Sequence, residues 1–253
     1  MTTAVTMQPI TEAAPRVRAR ITGIIYLLYF LTAVLGEFFM RQAGISGVGA
    51  VSRDAAALAT NLIAHEPSFR LGFALSLISI ACYVAVTALF YQLFRPVSRT
   101  LSLLAAFFSI VGLAIQTFAS VFQLAPLVLL GRSPDLNALP VDQLRALALI
   151  FLKLYAQAYG IGLVFDGLFL LLIGYLIFKS TFLPRVLGAL IALAGLSWLT
   201  FLYPPLANYL FLGIVVLGGF GELSLMLWLL VMGVNDQRWQ EQAIASARAT
   251  ATV

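Results

Sequence analysis

The chain has 253 residues, of which 62% are hydrophobic and 10% charged, with a mean hydropathy of +1.01. Soluble domains average about 45–50% apolar and about 25% charged residues, so this composition excludes an ordinary soluble domain. The net charge of +5 and pI near 9.6 do not point to nucleic acid, because the basic residues stand singly at the ends of apolar runs, as in membrane proteins. One cysteine, Cys82, excludes an intrachain disulfide. One histidine, His65, excludes a metal site built from several His and Cys ligands. No metal and no cofactor are expected.

Residues 1–15 are small and polar and read as a disordered tail. Arg16, Arg18 and Arg20 then precede an apolar run, as in a signal peptide. The run 21–40 is longer than the ~7–15-residue core of such a peptide and lacks a small-x-small cleavage site, so it reads as a retained first span. Gly44, Gly47 and Gly49 mark a loop. Ser52 or Asp54 can cap a short helix over 55–64, which Pro67 is expected to end. Its Leu58, Leu62 and Ile63 form an apolar face suited to the membrane interface.

The second span is 69–94. A basic turn, Arg95-Pro96-Val97-Ser98-Arg99, leads to the third, 101–127. The segment 131–140 reads as a loop. An amphipathic helix over 141–157 runs into the fourth span, 159–178. A second basic turn, 179–185, leads to the fifth, 186–202, which Tyr203-Pro204-Pro205 breaks. The sixth is 210–234. The tail 236–253 is polar, with a short helix over 239–248. Each span is long enough to cross the ~30 Å hydrocarbon core of a bilayer. No polar block is large enough for a separate soluble domain. The expected fold is therefore all-α: a disordered tail 1–15, a six-span bundle 16–235 and a C-terminal tail 236–253.

With the N-terminus inside, nine Lys and Arg residues fall on the inner side and six on the outer. The inner ones, among them Arg95, Arg99, Lys179 and Arg185, sit in short turns beside the spans, where the positive-inside rule acts most strongly. Both termini are therefore expected in the cytoplasm. The two inner turns resemble each other (Tyr91-x-x-Phe94-Arg95 and Tyr175-x-x-Phe178-Lys179). The shared demand of an inner turn for an aromatic, a cation and a proline accounts for that without duplication.

A charge in hydrocarbon costs on the order of 3 kcal/mol unless paired, hydrated or neutralised. Three acids lie within the spans: Glu37, Asp166 and Glu222. Glu37 can reach water or pair with Arg41 one turn on. Asp166 and Glu222 are too deep for that, and are either functional or hydrogen-bonded to a neighbouring helix. Polar residues recur at helical spacing: Thr22, Tyr26, Tyr29 and Glu37; Ser76, Ser79, Tyr83, Thr87 and Tyr91; Ser109, Gly112, Gln116, Ser120 and Gln123; Tyr155, Tyr159, Gly162 and Asp166. Each set shares one helix face and should turn away from lipid. Two readings remain open. The stripes line a polar cavity walled by spans 1 to 4, with the acids at its base or mouth, or they merely pack helices together. Gln116 and Gln123 favour the cavity, because each amide has four hydrogen-bonding positions to satisfy.

Gly188, Ala192 and Gly195 form a small-xxx-small face on the fifth span, a surface for close approach of another helix or a second copy. Gly213, Gly218, Gly219 and Gly221 precede Glu222 and either loosen the sixth span or pack it closely. No phosphate-binding lysine loop, paired-His metal motif or nucleophile elbow is present. Asp54, His65 and Glu66 in the outer connection make a weak case for catalysis, and the chain is not expected to be an enzyme.

The run Tyr159-Gly160-Ile161-Gly162-Leu163-Val164-Phe165, then Gly174-Tyr175-Leu176-Ile177-Phe178-Lys179-Ser180, Leu183-Pro184-Arg185-Val186-Leu187-Gly188, Gly221-Glu222-Leu223-Ser224-Leu225 and Leu227-Trp228-Leu229-Leu230, resembles the bacterial domain-of-unknown-function 4386 family. Asp54-Ala55-Ala56-Ala57, Asn61-Leu62-Ile63 and Phe69-Arg70 are similar to it as well. The resemblance implies a multi-span protein of the bacterial inner membrane and carries no activity with it. The Pro184-Arg185 turn and Glu222 match the family pattern, whereas a role for Asp166 need not be shared.

The candidate intramembrane site is Glu222, Asp166, Glu37, Gln116, Gln123, Tyr83 and Tyr159. The expected function is transport of a small solute, coupled to protons through Glu222 and Asp166. The alternative is a membrane interaction or sensing protein whose polar stripes are structural. Beyond lipid and a solute or proton, the one partner suggested is a second copy of the chain.

Overall fold

The structure is a computed structural model that describes residues 14–45, 54–131 and 139–251. The expected tail up to residue 13, together with Gly47, Gly49, Ser52, Arg53 and Arg132, lies outside them. Among the described residues there is no strand, and eight α-helices account for most of the chain. These are α1 (Pro15–Gln42), α2 (Ala55–Ala64), α3 (Glu66–Phe94), α4 (Arg99–Leu130), α5 (Val141–Lys179), α6 (Arg185–Leu199), α7 (Pro204–Val231) and α8 (Asp236–Ala251). A short 3-10 turn, Thr200–Leu202, joins α6 to α7. Six of the helices (α1, α3, α4, α5, α7, and α6 with its 3-10 turn) are long and apolar enough to cross a membrane. This is a multi-pass membrane protein.

The helices end where prolines were expected to stop them, and the same prolines begin the helices that follow. Pro67 lies in the first turn of α3, and Pro204 and Pro205 open α7. In a first turn the missing proline N–H would have no acceptor anyway, and the fixed φ already suits a helix. Pro15 likewise starts α1, so that helix begins ahead of the apolar run. Asp54 caps α2 by accepting hydrogen bonds from the N–H groups of Ala56 and Ala57, at 2.9 and 3.1 Å. Ser98 caps α4 through Leu101 N–H.

Each spanning helix packs on the next in chain order, and α7 returns to α1, so the six close a ring. Both described ends lie on one face, here the proximal face. Asp236 Oδ1 accepts from Arg16 N–H at 2.6 Å. The tail is a docked helix: Trp239 Nε1 donates to the Leu93 carbonyl at 2.9 Å, and Gln242 Oε1 accepts from Thr181 N–H at 3.1 Å. Thus α8 ties the α3 end and the α5–α6 turn to the start of α1. The opposite, distal face carries α2. At about 1.5 Å per residue, the 39-residue α5 outruns the bilayer. Its first turns rise beyond the distal surface and pack on α2.

Two apolar cores follow from this arrangement. Phe90, Phe94, Phe169, Ile173, Phe182 and Leu229 fill the proximal half of the ring. Met40, Leu58, Leu62, Phe69 and Leu152 form a smaller distal cluster beneath α2. The Gly188–Ala192–Gly195 face is used within the chain. A Cβ added at Gly188 would fall 2.8 Å from the Gly174 carbonyl oxygen, and one at Gly195 would fall 2.8 Å from that of Gly167. The surface suggested for a second copy is therefore covered by α5. Helix α7 runs unbroken past its glycines. Gly218 receives the indole of Trp198 and Gly221 receives Leu190 and Ala194, whereas Gly213 and Gly219 meet nothing within 4 Å.

Candidate intramembrane site

The polar stripes divide by depth. In the proximal half they are paired helix to helix: Thr87 Oγ1 and Ser109 Oγ lie 2.6 Å apart between α3 and α4. Above that level the ring encloses a cavity of about 420 Å³. Tyr29, Ala33 and Glu37 of α1, Ser76, Ser79 and Tyr83 of α3, and Gln116, Ser120 and Gln123 of α4 contribute to its wall. So do Tyr155, Tyr159 and Asp166 of α5, Trp198 of α6, and Phe211, Leu212, Val215 and Glu222 of α7. The cavity thus draws on all six spans, not four. A wall facing α1 and α3 across the ring has to come from α6 and α7 once the ring closes.

Glu222 forms one side of the floor. It stands nine residues from the proximal end of α7, about 13 Å along the helix. Its Oε2 accepts from Tyr26 Oη at 2.7 Å and from Tyr83 Oη at 3.4 Å; its Oε1 accepts from Trp198 Nε1 at 3.4 Å. The donors come from α1, α3 and α6, so four helices converge on one carboxyl group. All three donors are neutral. A buried carboxyl unpaired in hydrocarbon would be costly, and these donors offset that cost whether or not it carries a proton. Tyr26 is fully buried and is held by neighbouring rings, with Tyr83 at 6.0 Å and Phe90 at 5.8 Å between centroids.

Asp166 forms the other side. Gln116 Nε2 donates to its Oδ2 at 2.5 Å. Its Oδ1 is buried and has no hydrogen-bond partner among the described residues. The carboxyl fits because α4 and α5 touch at glycines: a Cβ at Gly112 would fall 2.7 Å from Asp166 Oδ1, and one at Gly162 would fall 2.6 Å from Gln116 Cγ. The Gln116–Asp166 pair therefore straddles a glycine contact between the two antiparallel helices, with Gln116 a turn to its distal side and Asp166 a turn to its proximal side.

The other sequence candidates separate by position. Gln123 is buried higher up, where its Nε2 donates to Met40 Sδ at 3.8 Å. Tyr159 lines the wall between Asp166 and Tyr155, with the two tyrosine rings 5.7 Å apart. Glu37 is at the distal mouth and accepts from Arg41 Nε at 2.8 Å. Arg41 is the one basic residue in the described lining. Asp54, His65 and Glu66 have local work: the cap of α2, a contact of His65 Nδ1 with the Asn61 carbonyl at 3.1 Å, and an ion pair of Glu66 with Arg70. Among the described residues no group of His, Cys, Asp and Glu is placed to hold a metal ion.

Sequence reasoning missed Trp198. An indole N–H within a span needs an acceptor inside the protein, and that requirement was the available signal.

The family model described as "Domain of unknown function (DUF4386)" matches residues 21–233. The chain belongs to this DUF4386 family. The match takes in all six spans and stops short of α8. A protein of Archaeoglobus fulgidus described as uncharacterized is 32% identical over 154 residues, covering 59% of this chain and 76% of that protein. Its source is an archaeon, so the resemblance is wider than the bacterial family suggested by the sequence motifs. No solved structure matches the chain. Within this DUF4386 chain, Glu222 and every donor to it fall inside the matched residues.

Proposed function

We propose that this protein is a small-solute transporter in which the intramembrane cavity holds the solute and Glu222 and Asp166 carry the coupled proton. The observation that supports this reading is the cavity's reach. It runs from Glu37 and Arg41 at the distal mouth to both acids deep in the ring, and the aromatic core of Phe90, Phe94, Phe169 and Phe182 closes it beneath. A site open to one face and sealed from the other is one half of an alternating-access cycle. A carboxyl held by neutral donors can take up or release a proton as a solute enters, with no protein cation to displace. On this reading the protein lies in the cell membrane with both termini in the cytoplasm.

A second reading is favoured by the completeness of the Glu222 cluster. With three protein donors the carboxyl could act as a joint between α1, α3, α6 and α7 in an interaction or sensing protein. Reconstituted vesicles separate the two. A pH dye inside them should report proton movement when one of a panel of cationic, anionic and neutral solutes is added. Glu222→Gln should lose that movement and keep its melting temperature within a few degrees of the parent. Glu222→Ala should melt lower, because it strands Tyr26 and Trp198. A Gln variant as active and as stable as the parent overturns the transport reading, as does loss of activity only in step with stability.

A further inference from the structure

The ring does not close evenly. Near the proximal face α1 and α7 meet tightly: a Cβ at Gly23 would fall 2.5 Å from the Leu230 backbone nitrogen. In its proximal half α7 buries two stripes, with Glu222, Leu225, Met226 and Leu229 all covered. In its distal half it buries one. Between Pro204 and Leu217 only Ala207 and Ile214 are buried. They continue the Gly218–Gly221 stripe that packs on α6. The side of α7 that should meet α1 is open there. Leu212 is 77% exposed and Val215 40%, yet both line the cavity, as do Tyr29 and Ala33 of α1. A residue that faces both lipid and cavity marks a gap in the wall, and its borders are apolar.

The interior beyond that gap is acidic and aromatic. Glu222 and Asp166 lie at the floor, and Asp166 Oδ1 has no hydrogen-bond partner among the described residues. Tyr29, Tyr83, Tyr159 and Trp198 stand around them. Arg41 is remote, at the distal mouth and engaged with Glu37. Carboxyl groups among aromatic faces favour a cation, which gains from charge and from ring quadrupoles together. A volume of about 420 Å³ lies in the range of sites for drug-sized molecules, about 300–1,000 Å³.

Resting on the transport reading above, we infer that the solute is an amphipathic organic cation that enters sideways from the distal half of the membrane, through the gap between α1 and α7. The apolar border admits the body of the molecule from lipid, and the acids receive its charged head. Proton and cation then compete for the same carboxyl groups.

The test uses the full chain in lipid nanodiscs and a matched pair of amphipathic probes, decyltrimethylammonium and the anion of equal chain length, decyl sulfate. The cation should bind saturably, with affinity at least tenfold above the anion. Asp166→Asn should weaken cation binding at least tenfold at an unchanged melting temperature. Leu212→Trp, a substitution at an exposed position that leaves packing alone, should slow association several-fold. No saturable cation binding, or equal binding of both probes, overturns the cation assignment. Unchanged association in Leu212→Trp overturns sideways entry. If the cation fails while another solute class still drives Glu222-dependent proton movement in vesicles, the cation assignment falls and the transport reading stands. If no class does, both fall.

Discussion

At the scale of single residues, the floor of the cavity is ordered by hydrogen-bond length. Tyr26 reaches Glu222 at 2.7 Å, whereas Tyr83 and Trp198 stand at 3.4 Å, near the limit at which such bonds retain strength. A hydrogen bond contributes about 0.5–1.5 kcal/mol net, and about 1.5–3 kcal/mol when its acceptor is charged. Tyr26→Phe should therefore destabilise the protein by about 1–3 kcal/mol. Tyr83→Phe should cost well under half as much. Equilibrium unfolding of the two variants in mixed detergent micelles would rank them. Equal losses would mean that the two hydroxyls share the carboxyl evenly, against the geometry. The residue scale is also where the sequence was most readable. Tyr26, Tyr83, Gln116 and Asp166 could be placed on interior faces because helical spacing and the absence of partners in lipid leave few alternatives. Which acid each donor would serve could not be read, because that depends on which helices become neighbours.

At the scale of helices, close approach is controlled by glycine. On α5 the residues Gly162, Gly167 and Gly174 meet Gly112, Gly195 and Gly188 in turn, from α4 on one side and α6 on the other. Helix α5 is thus clamped between two neighbours by glycine contacts. A methyl group placed in such a contact must separate the helices, and overpacking of this kind costs about 1–3 kcal/mol. Gly188→Ala and Gly112→Ala should both lower the melting temperature, and Gly112→Ala should also disturb the Gln116–Asp166 pair. Gly213→Ala is the control. Nothing lies within 4 Å of that position, and alanine is the better helix former by about 1 kcal/mol, so its melting temperature should hold or rise. A drop for Gly213→Ala as large as for Gly188→Ala would mean that the glycines matter for flexibility, not fit. The sequence marked Gly188 and Gly195 as packing residues but not what they packed on. Gly188 and Gly195 read as well for a second copy as for α5, because a small-residue stripe carries no address. The same limit applied to proline. Pro67 and Pro204 are equally compatible with the end of one helix and the start of the next, and only the caps around them decide.

For the whole molecule, six apolar runs were legible because bilayer thickness sets their length, and their even number brings both ends to one face. The structure adds a physical tie between those ends, the Arg16–Asp236 contact, and gathers the basic turns on the same side. Arg99 opens α4 and Arg185 opens α6 there, and Arg238 lies in α8. The docking of α8 was not legible, because its polar composition resembles that of a free tail and its anchors, Trp239 on Leu93, Gln242 on Thr181 and Asp236 on Arg16, meet partners far away in sequence. That the proximal face meets the cytoplasm is a prediction from charge. Short turns rich in Lys and Arg are retained on the cytoplasmic side, and in this chain they cluster at the proximal face. Cysteine labelling in intact cells tests this on a Cys82→Ala background without removing any basic residue. Thr100→Cys, exposed in the first turn of α4, and Ala245→Cys, exposed on α8, should react with an impermeant maleimide only after the cells are permeabilised. His65→Cys, exposed at the distal face between α2 and α3, should react in intact cells. The reverse pattern would place the cavity mouth and the gap between α1 and α7 toward the cytoplasm, and the solute would then be collected from the inner half of the membrane.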